Sequence, residues 1–160
     1  MKTAKTISDI SKQYDALFIV NDRLDIAIAS DAKGVHLGQT DMPVDIARHI
    51  VPEGFIIGVS VGNVKEALQA EKDGADYVAL SPIFDTASKD DIGSGHGLKA
   101  MKDIKTAIHI PALAIGGINK SNVLSVFDTG ADGIAVISAI VSQPDIAAAT
   151  RELKALIDRR

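Results

Sequence analysis

Short apolar runs alternate with amphipathic stretches along the whole chain. The apolar runs fall at residues 16–20 (ALFIV), 35–37 (VHL), 55–59 (FIIGV), 77–80 (YVAL), 112–115 (ALAI) and 133–136 (GIAV). Each is short and ends in polar residues or glycine, the signature of a buried strand. The stretches between them carry helical periodicity. Residues 5–14 place Ile7 and Ile10 on one face, with Ser8 or Asp9 near a cap. A short helix follows over 23–30, and Pro43 opens another that runs to about residue 50, at a position where its missing N–H costs little. Asn63 heads VKEALQAEKDG, with Glu66 three residues later as a capping-box partner and Gly74 as the residue past the C-terminus. Further helices are predicted over 98–107, with Leu98, Met101 and Ile104 inward, and over 121–129 and 145–158.

A weak internal repeat joins these elements. Gly74-Ala75-Asp76-Tyr77-Val78 and Gly130-Ala131-Asp132-Gly133-Ile134 share one helix-to-strand turn, and Asp31-Ala32-Lys33-Gly34-Val35 is a looser copy. Repeated strand–helix units predict a parallel α/β fold, and a TIM-type (β/α) barrel before an open doubly wound sheet. The dinucleotide fingerprint GxGxxG is absent, which disfavours the open sheet. Six units are visible where a closed barrel of this type has eight in about 250 residues. The expectation is a single domain over residues 1–160, an incomplete barrel whose two remaining units belong before residue 1. Its open strand edges call for a second copy of the chain or a complementing N-terminal segment.

Composition narrows the function. Hydrophobic residues make up 46% and aromatics only 4%, so the core is built from Ala, Ile, Val and Leu, as in a sheet covered by helices. The net charge of −4 gives no general attraction to nucleic acid or anionic lipid, so an anion site must be local. With no cysteine there is no disulfide framework, thiol nucleophile or cysteine metal site. No apolar signal region or membrane-length run is present, which predicts a soluble, cytoplasmic protein.

The chemistry gathers where the strands end. These ends carry Asn21-Asp22, Gly38-Gln39 with Asp41, Ser60, Ser81 to Lys89, Gly116-Gly117 and Ser138. In parallel barrels the site lies on this face. In SPIFDTASK, the hydroxyls of Thr86 and Ser88 and the charge of Lys89 suit a phosphate or pyrophosphate; the plain alternative is a polar loop with a solvated lysine. Gly116-Gly117 and Ile137-Ser138 follow the last two strands, where barrel phosphate cradles form from backbone N–H groups. Asp22 and Asp41 follow neighbouring strands and could hold Mg²⁺, which takes few protein oxygens. Each could instead cap the helix that follows it. The histidines have no metal-type spacing: His36 lies in a strand, His49 on a helix, His109 before a strand, and His96 in the loop after Lys89.

Taken together, IVNDRLDIA (19–27), GVHLGQTD (34–41), IIGVS (56–60), GADYVALSPIFDTASK (74–89), AIGGI (114–118) and GADGIAVISAI (130–140) resemble the thiamine-phosphate synthase family. The resemblance runs in order through nearly the whole chain. It implies a TIM barrel and a transferase of thiamine biosynthesis. That activity joins hydroxymethylpyrimidine diphosphate to thiazole phosphate and releases pyrophosphate, with Mg²⁺ as cofactor. By matching position, Asp22 and Asp41 would bind Mg²⁺ and Asn21 would touch the pyrimidine. Ser60 and Lys89 would hold the pyrophosphate and act catalytically. Thr86, Ser88, Gly117, Ile137 and Ser138 would hold the thiazole phosphate. The family's Gln-Leu-Arg-Glu-Lys motif has no counterpart here, Asp85 stands where the family usually has proline, and Ser88 replaces a common threonine. Two alternatives remain: an isomerase like the related thiazole tautomerases, whose histidine position is occupied by Gly62, and a non-catalytic phosphate-binding remnant.

Overall fold

Six strands and eight helices alternate in the structure, a computed structural model that describes residues 1–85 and 95–159. The strands are β1 (Ile19–Asn21), β2 (Gly34–Leu37), β3 (Ile56–Val61), β4 (Tyr77–Leu80), β5 (Ala112–Ile115) and β6 (Gly133–Ala135). All neighbours are parallel and the spatial order is the sequence order. Each crossover therefore advances in the same direction, and the sheet curls into an open half-barrel. Six parallel strands in barrel order bear out the expected incomplete (β/α) barrel.

The helices are α1 (Lys2–Gln13), α2 (Leu24–Ala29), α3 (Val44–Ile50), α4 (Val64–Lys72), α5 (Gly97–Ala107), α6 (Val123–Phe127), α7 (Ser138–Val141) and α8 (Ile146–Ile157). They cover one face of the sheet. Val35, Leu37, Ile57, Val59, Val61, Val78 and Leu80 are buried beneath them. Ala27, Ala47, Ala67 and Ala70 supply the helix side of this layer, and their small side chains let helix and sheet approach closely. Alternation then sends His36, Ile56, Ser60 and Tyr77, all half-buried, to the opposite, concave face.

The repeated turn has a physical basis. Gly74 and Gly130 end their helices at φ +94° and +91°, conformations that suit glycine. Ala75 and Ala131 are buried. Asp76 then pairs twice with the preceding strand: its backbone nitrogen donates to Ile57 O at 2.8 Å, and its carboxylate accepts from Ile57 N at 2.7 Å. Asp132 does the same with Ala112, at 2.9 and 2.7 Å. A cation completes each turn, Arg48 on Asp76 at 2.6 Å and Lys105 on Asp132 at 2.7 Å. In the looser copy Asp31 takes the glycine's place at φ +56°.

Three sequence expectations are corrected. Helix α1 begins at Lys2, so Ser8 and Asp9 lie within it; Ser8 is buried and donates to Asp31 O. Ile7 and Ile10 are 43% and 49% exposed, so the apolar stripe of α1 is not its packed face. The run at 16–20 yields strand only from Ile19, and the end of β6 leads into a short helix, α7, that the pattern did not reveal. The capping box holds in modified form. Asn63 Oδ1 accepts from Glu66 N at 3.0 Å, while Glu66 Oε2 accepts from Gly62 N at 2.7 Å rather than from the cap residue's own nitrogen. No helix among the described residues is long and apolar enough to cross a membrane.

Candidate active site

The concave face carries one polar row. His36, Gly58 and Tyr77 are register partners across β2, β3 and β4, and Asn21 partners His36 from β1. Because residue 58 has no side chain, the Tyr77 ring lies across it; a Cβ there would sit 2.0 Å from Tyr77 Cζ. Tyr77 thus reaches His36, with ring centroids 5.5 Å apart. Its hydroxyl lies 2.9 Å from His36 Nδ1, and His36 Nε2 lies 2.9 Å from Ser60 Oγ. Ser60 is two residues beyond Gly58 on β3, so it stands one level higher on the same face. The hydrogen-bonded chain therefore climbs from the lower concave face to the mouth. Burial holds the Tyr77 phenol above its ordinary pKa, so it stays protonated.

Around Ser60 the strand ends are tied together. Gln39 Nε2 donates to Ser60 O at 2.7 Å. Asp41 folds back over its own turn, its Oδ2 accepting from Gly38 N at 2.6 Å. Asn21 is exposed at the end of β1, and Asp22 N donates to His36 O at 2.8 Å. Neither aspartate caps a helix, for α2 begins after Arg23 and α3 after Pro43, both without a side-chain cap. Arg23 instead grips Asp25 with two hydrogen bonds, at 2.8 and 2.5 Å, and draws that carboxyl down to about 2. Gly38, Gln39, Asp41, Asn63, Lys65 and Glu66 also line a groove of about 510 Å³ beside the mouth.

The far half of the mouth is built backbone on backbone. Ile83 N donates to Ile115 O at 2.8 Å and Phe84 N to Gly116 O at 3.2 Å. Gly117, at φ +66°, lies so close that a Cβ would meet Asp85 O and Phe84 Cβ at 2.7 Å. Asp85 turns its carboxylate onto Gly95 N at 2.7 Å, so its charge is partly satisfied by that N–H. Ile137 precedes α7 and Ser138 is its first residue; both are exposed. Thr86, Ser88 and Lys89 lie outside the described residues. His96 is exposed, and its ring lies 3.0 Å from where a Gly62 side chain would begin.

His36, Tyr77 and Gly58 were not among the expected site residues, and Gln39 was named at its strand end without a role. A signal existed: alternation in β2 buries Val35 and Leu37, so His36 must face the other way. Among the described residues no group of three or more His, Cys, Asp or Glu side chains could hold a metal ion. Magnesium makes no such demand. One or two carboxylates suffice, with water and phosphate oxygens completing the shell, and Asp22 and Asp41 at adjacent strand ends are donors of that kind.

Fold and mouth together define a protein of the parallel (β/α) barrel class, with its polar groups collected at the strands' carboxyl ends. A family model described as thiamine monophosphate synthase matches residues 1–140. The thiamine-phosphate synthase of Methanoculleus marisnigri is 56% identical over 154 residues, covering 96% of this chain and 73% of the relative. That of Clostridium novyi is 51% identical over 150 residues, covering 94% and 74%. A solved thiamine phosphate pyrophosphorylase from Pyrococcus furiosus superposes with a TM-score of 0.91 at 45% identity, covering 99% of this chain and 75% of that one. The chain belongs to the thiamine monophosphate synthase family and is a transferase.

Proposed function

We propose that this chain joins 4-amino-2-methyl-5-hydroxymethylpyrimidine diphosphate to thiazole phosphate, forming thiamine phosphate and releasing pyrophosphate. The observation that carries the reading is Ser60, held at the end of β3 by His36 and placed beside Gln39 and the Asp41 turn. In the reaction the bond between the pyrimidine methylene carbon and the diphosphate oxygen breaks. Its electron pair leaves with pyrophosphate, and the thiazole nitrogen then bonds to the methylene carbon. The departing group gathers negative charge, so donors aimed at it lower the barrier. Ser60 and Lys89 serve as those donors, and Asn21 orients the pyrimidine. Thr86, Ser88, Gly117, Ile137 and Ser138 hold the thiazole phosphate, where Gly117 would contribute its backbone N–H. Asp22 and Asp41 would hold Mg²⁺, which when bound supplies positive charge against the diphosphate oxygens.

The test is direct: supply both substrates with Mg²⁺ and assay thiamine phosphate and pyrophosphate together. Equimolar formation of both is expected. Binding of thiazole phosphate without turnover would overturn the catalytic reading in favour of a phosphate-binding protein. Lys89→Ala should slow turnover by about 100-fold, the scale of losing one transition-state donor, whereas a surface change such as Lys72→Ala should not. A second reading, an isomerase acting on the thiazole, rests on the His96 ring standing against Gly62. Interconversion of thiazole phosphate tautomers, lost in His96→Ala, would favour it.

A further inference from the structure

We infer that Tyr77 and His36 are positioning residues that fix Ser60 as a hydrogen-bond donor toward the mouth. The inference deepens the reading of Ser60 as an anion-binding residue and rests on it for its functional consequence. The hydrogen-bonded chain Tyr77–His36–Ser60 has one proton on each hydroxyl and, with the ring neutral, one on the imidazole. The protons can run in two directions. In one, His36 Nδ1–H donates to the Tyr77 oxygen and Ser60 donates to Nε2. Ser60 then spends its only proton inward and shows lone pairs to the mouth, where an anion would be repelled. In the other, Tyr77 donates to Nδ1, Nε2–H donates to Ser60 Oγ, and the serine proton is left to point at a ligand. Only the second direction suits a phosphate or pyrophosphate.

Three observations support the chain itself, and the anion reading of Ser60 selects its second direction. The Tyr77 phenol is half-buried and held protonated by burial, so it has a proton to give. Both contacts to His36 are 2.9 Å, which fixes the ring between two oxygens and forces the choice made at one nitrogen to decide the other. Residue 58 is glycine at the one register position where a side chain would fall on the tyrosine ring, with Tyr77 Oη 2.3 Å from where its Cβ would be. The sheet thus leaves a gap through which Tyr77 can reach β2.

The test reads the ring directly. Protein labelled with ¹⁵N and held at pH 8 gives the tautomer of His36 from the shifts of its ring nitrogens, assigned by their loss in His36→Gln. The Nε2–H tautomer is expected in the parent, and Tyr77→Phe should shift the ring toward Nδ1–H. An Nδ1–H parent, or a Tyr77→Phe spectrum unchanged from the parent, overturns the inference. A second arm uses inorganic pyrophosphate with Mg²⁺ as the probe. Tyr77→Phe should weaken its binding about fivefold, the worth of one neutral hydrogen bond. The same change made in Ser60→Ala should have no further effect. Equal weakening in both backgrounds would mean that Tyr77 does not act through Ser60. A parent that fails to bind pyrophosphate would overturn the anion reading of Ser60, while the tautomer measurement still decides the proton direction.

Discussion

At the scale of single residues, Gly58 and Gly54 separate two reasons for glycine. Gly58 has no left-handed backbone, yet a Cβ there would lie 2.0 to 2.3 Å from three atoms of Tyr77. Gly54 sits at φ +77° with nothing within 4 Å of a Cβ. Gly58→Ala should therefore cost about 1–3 kcal/mol, the range for overpacking, and displace the tyrosine. Gly54→Ala should cost about 1 kcal/mol through backbone strain alone. Urea unfolding gives both figures, and the His36 ring shifts should move in Gly58→Ala only. A Gly58→Ala protein with parental shifts would mean that Tyr77 tolerates the methyl group. The candidate residues at strand ends were legible because each polar residue followed an apolar run. His36 and Tyr77 were not, because their partnership crosses β3 and depends on a side chain that is missing. A histidine inside a strand carries no message until alternation places it on the concave face.

At the scale of elements, the two Gly-Ala-Asp turns join each helix to the sheet through one carboxylate. Asp76 and Asp132 each accept from the backbone nitrogen of a fully buried residue, Ile57 and Ala112. Asp76→Ala and Asp132→Ala should each cost about 1.5–3 kcal/mol, since a hydrogen bond to a charged group is lost and a buried N–H is left unpaired. A loss below about 0.5 kcal/mol in both, the scale of an ordinary surface substitution, would show that the turns hold without them. Glu71 makes a related joint. Its Oε1 accepts from His109 N at 2.7 Å and Ile110 N at 3.1 Å, tying α4 to the approach of β5. The backbone hydrogen bond from His109 does most to lower its pKa from the ordinary 4.5. A depressed folded-state pKa gives stability that is full above the unfolded value and is lost as pH falls through the folded one. The unfolding free energy lost in Glu71→Gln should therefore shrink between pH 7 and pH 3; a difference that stays constant would rule the linkage out. The repeat was legible as sequence because its residues serve the same bonds twice. The start of β1 was not, because an apolar run alone does not say where the ladder begins: Phe18 O already accepts from Lys33 N, but the register starts at Ile19 with Gly34.

At the scale of the whole molecule, sequential βα units were enough to fix the direction of the curl, because each unit repeats the same right-handed step. Burial is uneven around that curve. Leu37, Val59 and Val78, register partners across β2, β3 and β4, are buried. Every residue of β6 is only half-buried, and β1 ends in the exposed Asn21. Within the described sheet, β1 and β6 each pair with a single neighbour, so their outer backbone groups lack a strand partner there. Local opening draws on the parts with the fewest buried contacts. Opening should therefore start at the two edge strands and reach the centre only with global unfolding. Hydrogen exchange read peptide by peptide should show residues 56–61 and 77–80 exchanging last, with 19–21 and 133–135 well ahead of them. Small amounts of urea should speed exchange at the centre while leaving the edges almost unchanged, because only global opening exposes enough surface to respond. Equal protection across all six strands would mean that the edges are covered in solution, and protection of 19–21 and 133–135 that rises with protein concentration would identify the cover as a second copy of the chain.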